Sequence, residues 1–186
     1  MEKLLSVWLG NLHAYNEGNL VGEWVDLPME EGELQKKIDS ILEKGGGEEI
    51  GIFDYEWKCK YNGVVIPLFE ISEYENVWNL NELLTTIKEL VDSEGEEVLV
   101  KIYALCDIGC TPEEALDKLE DTYFYPDETL RDLAYAFVEE GVYGDIPDSI
   151  LNYIDYDAIA RDLEISGQFR EIWIGNDFVG TVEVVY

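Results

Sequence analysis

Carboxylates dominate the side chains able to do chemistry in this sequence: Asp and Glu number 42 against 12 Lys and Arg, a formal charge of −30. Two carboxylates do general acid/base work when they face one cleft roughly 5–10 Å apart. Among so many acids some pair meets that spacing by chance, and position singles out none. A calcium loop needs D-x-[DN]-x-[DN]-G and a closing Glu. Asp155-Tyr156-Asp157 starts that pattern but continues into Ala158-Ile159. There is 1 histidine, His13, in a polar stretch where a surface or satisfied imidazole is the ordinary role. The 3 cysteines, Cys59, Cys106 and Cys110, are an odd number and too few for a disulfide framework. Cys106 and Cys110 stand four apart, but Gly109 intervenes and no second pair completes a structural zinc site. Buried free thiols are expected. Dinucleotide-binding, Walker A and G-x-S-x-G motifs are absent. No catalytic, cofactor-binding or metal-ligating residue is therefore assigned: the chain is read as no enzyme, with no cofactor.

Composition sharpens that reading. Neutralising phosphates takes clustered Lys and Arg, so direct binding of nucleic acid or of an anionic membrane is not expected. Strong acidity often means disorder, but a 47% hydrophobic and 12% aromatic chain of 186 residues can bury a core. The acids must then lie on the surface. No apolar run approaches the roughly 18 residues of a membrane span, and the start MEKLLSVWLGN has no signal-peptide pattern. With few cysteines, this predicts a cytoplasmic protein. Charge concentrates in residues 106–166, which hold 17 acids and 3 bases. A charge of −30 far exceeds the magnitude of roughly 2–8 that solubility requires. Duplex DNA carries one charge per ~1.7 Å, so 30 charges correspond to ~51 Å or about 15 base pairs. Carboxylates at i, i+3 and i+4 of a helix stand about 5–6 Å apart and can imitate a row of phosphates.

The elements that position these acids follow from periodicity. Residues 3–9 and 20–26 read as strands joined by a loop with Asn16, Gly18 and Asn19, 30–44 as a helix with Leu34, Ile38, Ile41 and Leu42 inward, and 49–55 as a strand. Residues 61–78 read as irregular, with a short strand at 64–66. Helices are predicted over 79–91 (Leu80, Leu83, Leu84, Ile87, Val91) and 96–107. Thr111-Pro112 opens a helix with Ala115, Leu116 and Leu119 inward. Asp127 is expected to cap a helix carrying Leu130, Leu133, Ala134, Phe137 and Val138, and Asp155 to cap another. The tail from Gln168 reads as a hairpin about Gly175-Asn176-Asp177. The expected fold is α+β, an elongated chain of three small domains. Residues 1–60 form an antiparallel sheet plus helix, 61–108 a mainly helical middle, and 109–186 an acidic helical region closed by a β-hairpin.

Several motifs, in order along the chain, resemble the ArdA antirestriction proteins. Gly10 to Asp26 (GNLHAYNEGNLVGEWVD) is similar to the family's opening. Asp54-Tyr55-Glu56 and Ser72-Glu73-Tyr74 fit its next elements. Leu133 to Gly141 with Gly144 to Pro147 resembles its antirestriction segment. Tyr153 to Leu163 (YIDYDAIARDL) is the most specific match, and Val182 to Tyr186 fits its tail. The stretch 61–110 matches least.

The resemblance implies a non-enzymatic inhibitor of type I restriction–modification enzymes, encoded on mobile genetic elements. It implies a homodimer laid end to end as a DNA mimic. That dimer fills the DNA-binding groove against the specificity and modification subunits. Two chains would carry −60, the charge of ~100 Å or about 30 base pairs. The acids expected to meet the partner are Glu113, Glu114, Asp117, Glu120, Asp121, Asp127, Glu128, Asp132, Glu139, Glu140, Asp155, Asp157, Asp162 and Glu164. Simple solubility is the alternative for any one of them. Leu133, Ala134, Tyr135, Phe137 and Val138 are expected as core or dimer contacts, and Arg161 as half of a structural ion pair. An acidic module for another basic DNA-binding protein, and an acid/base hydrolase, are the competing classes.

Overall fold

A computed structural model describes residues 3–185, and the chain divides into two compact units at Glu113/Glu114. The architecture is α+β with small antiparallel sheets. Segments 1–60 and 61–108 both lie in the first unit, and the second unit lies within 109–186.

The first unit begins with β1 (Leu5–Asn11), α1 (Leu12–Asn16), β2 (Gly22–Leu27), α2 (Glu31–Gly45) and β3 (Ile50–Trp57). The three strands pair antiparallel in the order β2-β1-β3. Central β1 is buried along almost its whole length, because α2 covers one face with Leu34, Ile38 and Ile41. Cross-strand Trp8 and Trp24 meet edge to face at 5.9 Å. The ring of Phe53 occupies the space a side chain at Gly10 would need, so the strand tolerates glycine there. Then come β4 (Lys60–Tyr61), β5 (Val64–Val65), α3 (Val77–Glu94) and α4 (Glu97–Asp107). α3 buries Leu80, Leu84 and Ile87. α4 is apolar nearly all round and buries Val98, Leu99, Val100, Ile102, Ala104 and Leu105, as a helix at the centre of a core must. Asn81 of α3 exchanges two hydrogen bonds with the backbone of Met29, at 2.8 and 2.9 Å, and so fixes the loop before α2.

α5 (Pro112–Asp117) starts at the expected proline. The second unit continues with a 3₁₀ turn (Leu119–Asp121), β6 (Thr122–Pro126), α6 (Leu130–Glu139), α7 (Asp148–Leu151), α8 (Tyr156–Ser166), β7 (Phe169–Ile174) and β8 (Asp177–Val184). Its sheet order is β6-β8-β7, all antiparallel. Leu130, Leu133 and Phe169 form a buried cluster, with Tyr125, Phe137, Ala160 and Leu163 packed against it.

Four local expectations need correction. The stretch after Asn11 is a short helix rather than a loop, because the buried Asn11 side chain accepts the Ala14 N–H at 2.8 Å. The helix after Thr111 stops at Asp117, and Thr122-Tyr123-Phe124-Tyr125 is a strand. β-Branched and aromatic residues suit a pleated surface, and β8 supplies the partner. The terminal hairpin is therefore two strands of a three-stranded sheet. Asp127 does not cap α6: it sits at φ 56° in the turn beyond β6. Thr129 is the cap, in a reciprocal box in which its side chain accepts from Asp132 N and Asp132 accepts from Thr129 N. Finally, Tyr186, the last residue of the resembling tail, lies outside the described residues.

Candidate functional site

The acids of 113–164 come from five places. Glu113, Glu114 and Asp117 stand on α5; Glu120 and Asp121 on the 3₁₀ turn; Asp127 and Glu128 in the turn before α6; Asp132, Glu139 and Glu140 on and just after α6. Asp155, Asp157, Asp162 and Glu164 belong to α8 and its N-cap. Every one of them is exposed. Sequence reasoning left out Asp145 and Asp148 from the same stretch, and both are exposed too. Asp145 lies in the resembling stretch Gly144 to Pro147, while the signal for Asp148 was only the charge density.

Exposure separates these acids from others that serve the fold. Glu171 of β7 accepts the Leu130 N–H at 3.0 Å and ties the start of α6 to the sheet. Glu183 of β8 accepts the Tyr125 hydroxyl at 2.8 Å. Burial, then that carboxylate, pushes the Tyr125 phenol well above its ordinary range. Asp132, Asp155 and Asp157 are exposed acids that also have internal work. Asp132 closes the α6 box, and the Thr129 hydroxyl and N–H hold its carboxyl below the usual range. Asp155 accepts the Ala158 N–H at 3.0 Å and caps α8 as expected. Asp157 pairs with Arg131 Nε at 2.8 Å. That ion pair corrects the sequence expectation: Arg131 makes it, while Arg161 points an exposed side chain from α8. Spacing could not show this, because Arg131 and Asp157 lie on different helices brought together only by packing of α6 on α8.

The structure separates the residues read as core or dimer contacts. Leu133, Ala134 and Val138 are core. Phe137 is half-buried and meets Phe169 edge to face at 5.7 Å. Tyr135 is exposed and stacks on Tyr156 at 3.6 Å, with the Arg131 guanidinium 5.4 Å from its ring. Around these elements lies apolar surface with no cover in the chain: α7 and α8 bury no residue, and Val142, Tyr143, Ile150, Tyr153 and Ile165 are exposed.

The remaining chemical groups are quiet. His13 on α1 is exposed and lies 3.5 Å from Glu17. Cys59 is buried, and burial pushes its thiol up to about 12. Cys106 and Cys110 are half-buried rather than fully buried, and burial followed by the charges of Cys110 and Glu113 raises Cys106 to about 11. Among the described residues no group of three or more His, Cys, Asp or Glu is placed to hold a metal ion. Among the same residues no helix is long and apolar enough to cross a membrane.

The profile of the family described as "Antirestriction protein (ArdA)" matches residues 7–177. The chain belongs to the ArdA antirestriction family. No curated protein gives a significant match. As a member, it is an antirestriction protein whose partners are restriction–modification enzymes, in a family not known for catalysis. The matched span covers both units. Within it, Gly10 to Asp26 takes in the end of β1, α1 and most of β2, Leu133 to Gly141 takes in most of α6 and the turn after it, and Tyr153 to Leu163 takes in the cap and most of α8.

Proposed function

We propose that this ArdA chain is a DNA mimic that inhibits type I restriction–modification enzymes by filling the groove in which their specificity and modification subunits hold DNA. The observation that carries the reading is the uniform exposure of the acids from Glu113 to Glu164 on α5, α6, α8 and the segments between them, a stretch of 16 acids and 3 bases. Such surfaces meet the Lys and Arg that otherwise grip phosphates. The mechanism is occupancy without catalysis, in the cytoplasm, by a chain carried on a mobile element and built as three successive segments.

The active form is a homodimer. Repulsion between two chains of −30 opposes association, so the contact must be locally apolar and poor in acid. Val142, Tyr143, Ile150, Tyr153 and Ile165 offer exposed apolar side chains for it. Light scattering at micromolar protein and physiological salt should give twice the chain mass; a monomer would remove this part of the reading. For the function, purified protein titrated into a type I enzyme should block both cleavage and methylation at near-stoichiometric ratio. Inhibition with turnover, at far below one protein per enzyme, would sink the occupancy mechanism.

A further inference from the structure

We propose that the cavity between β3 and α4 is an anchor site for a basic side chain, an arginine by preference, carried by the restriction–modification enzyme. The identity of that partner rests on the reading just given. The recognition chemistry rests on the cavity alone.

The cavity encloses about 600 Å³ and lies wholly within the first unit. Local structure explains its lining. Tyr55 and Trp57 are two apart on β3 and so project to one side of the sheet. Tyr103 and Asp107 are four apart on α4 and so share a helix face. The segment after β5 adds Phe69 and Glu70. Trp57 is buried and packs edge to face on Phe69 at 4.9 Å, while Tyr55, Phe69 and Tyr103 leave part of their rings open. Glu70 and Asp107 are exposed, and no Lys, Arg or His lines the cavity.

Aromatic rings with the exposed carboxylate of Glu70 and no base select a cation. Ring quadrupoles attract it, the Glu70 carboxylate pairs with it, and an anion is repelled. A planar guanidinium both stacks and forks onto a carboxylate, whereas an ammonium holds its water more tightly. A metal ion fits less well, since no metal-holding group exists among the described residues. Cys106 in the wall is a neutral thiol at pH 7 and acts as soft apolar lining. The exposed acids of 113–164 supply a diffuse field. A recessed aromatic site supplies a short-range fixed point, and arginine is among the residues that most often dominate interfaces.

The test uses the full chain. Tyr103→Leu keeps bulk but removes a ring, and Glu70→Gln removes an exposed charge without disturbing the core. Circular dichroism and thermal melting check the fold. Tyr103→Leu should weaken affinity for a type I enzyme roughly 5- to 30-fold. Glu70→Gln should weaken it several-fold more than Glu31→Gln, which makes the same charge change on α2. In parallel, N-acetyl-arginine amide and N-acetyl-leucine amide are titrated and followed by NMR. The arginine compound should give saturable shifts at Tyr55, Phe69 and Tyr103, and the leucine compound none. Wild-type inhibition with unchanged affinity in both folded variants overturns the cavity proposal and leaves antirestriction standing. So does equal binding of the leucine compound. Failure of the wild type to inhibit, with arginine binding intact, overturns the reading as an inhibitor of type I enzymes and with it the named partner.

Discussion

Progressive neutralisation of the exposed acids tests whether charge acts as a distributed surface. Glu140 is exposed at the end of α6, and its carboxylate has no hydrogen bond or ion pair within the described chain. Glu140→Gln therefore breaks no internal hydrogen bond or ion pair, and its effect on inhibition reports chiefly the interaction with the partner. An exposed pair contributes about 0–1 kcal/mol, so inhibition should change by no more than about fivefold. Glu120, Asp121, Glu139, Asp162 and Glu164 are equally exposed and should behave alike. Ten such changes at ~0.3 kcal/mol each should cost ~3 kcal/mol, more than a hundredfold, if distant sites add. Asp132 is the internal control. Asp132→Asn disturbs the box with Thr129 and should lower stability by roughly 0.5–2 kcal/mol, so its effect on inhibition cannot be read as charge alone. The assay is methylation by a type I enzyme against inhibitor concentration, beside thermal melts of each variant. Loss of inhibition from Glu140→Gln alone, with fold and dimer intact, would refute distributed mimicry. Unchanged inhibition after ten neutralisations would do so from the other side.

Three further outcomes are expected. Leu133→Ala, at the centre of the second unit's core, should cost about 2–5 kcal/mol by urea unfolding. Asp26 should stabilise the fold in a pH-dependent way, because the Ser6 hydroxyl, then Lys58, hold its carboxyl below the ordinary range. A group with a lowered folded value stabilises above its unfolded pKa of ~3.9 and loses that contribution as pH falls through the folded value. The stability gap between wild type and Asp26→Asn should then be full at pH 6 and shrink below about pH 4; a gap independent of pH would contradict the cause. Rising salt should slow association with the target by screening steering, and stopped-flow rates unchanged between 50 and 500 mM would count against an electrostatic encounter.

Much of this protein was legible in local pattern. Charge excess, the absent catalytic constellations and the ordered ArdA-like motifs are properties of the chain itself. So are α2, α3, α4 and α8, whose apolar stripes or caps depend on residues within a turn or two. The exposure of the acids followed by elimination, since an apolar inner face leaves the outer one to charge.

Tertiary structure decided whatever depends on distant pairing. Local pattern assigns no element to 122–126 until β8, more than fifty residues later, offers β6 a ladder. Thr129 rather than Asp127 caps α6 because the chain must first turn out of β6, which places Asp127 at positive φ. Which arginine meets Asp157, which aromatic of 133–138 stays exposed, and which acids turn inward to Tyr125 or Leu130 depend on packing of α6, α8 and the sheet. The cavity of Tyr55, Phe69, Glu70 and Tyr103 likewise joins a strand, a loop and a helix spread over some fifty residues. Periodicity reports the face of one element toward its neighbours; it carries no record of which neighbour arrives, because that choice is made by the free energy of the whole packed unit.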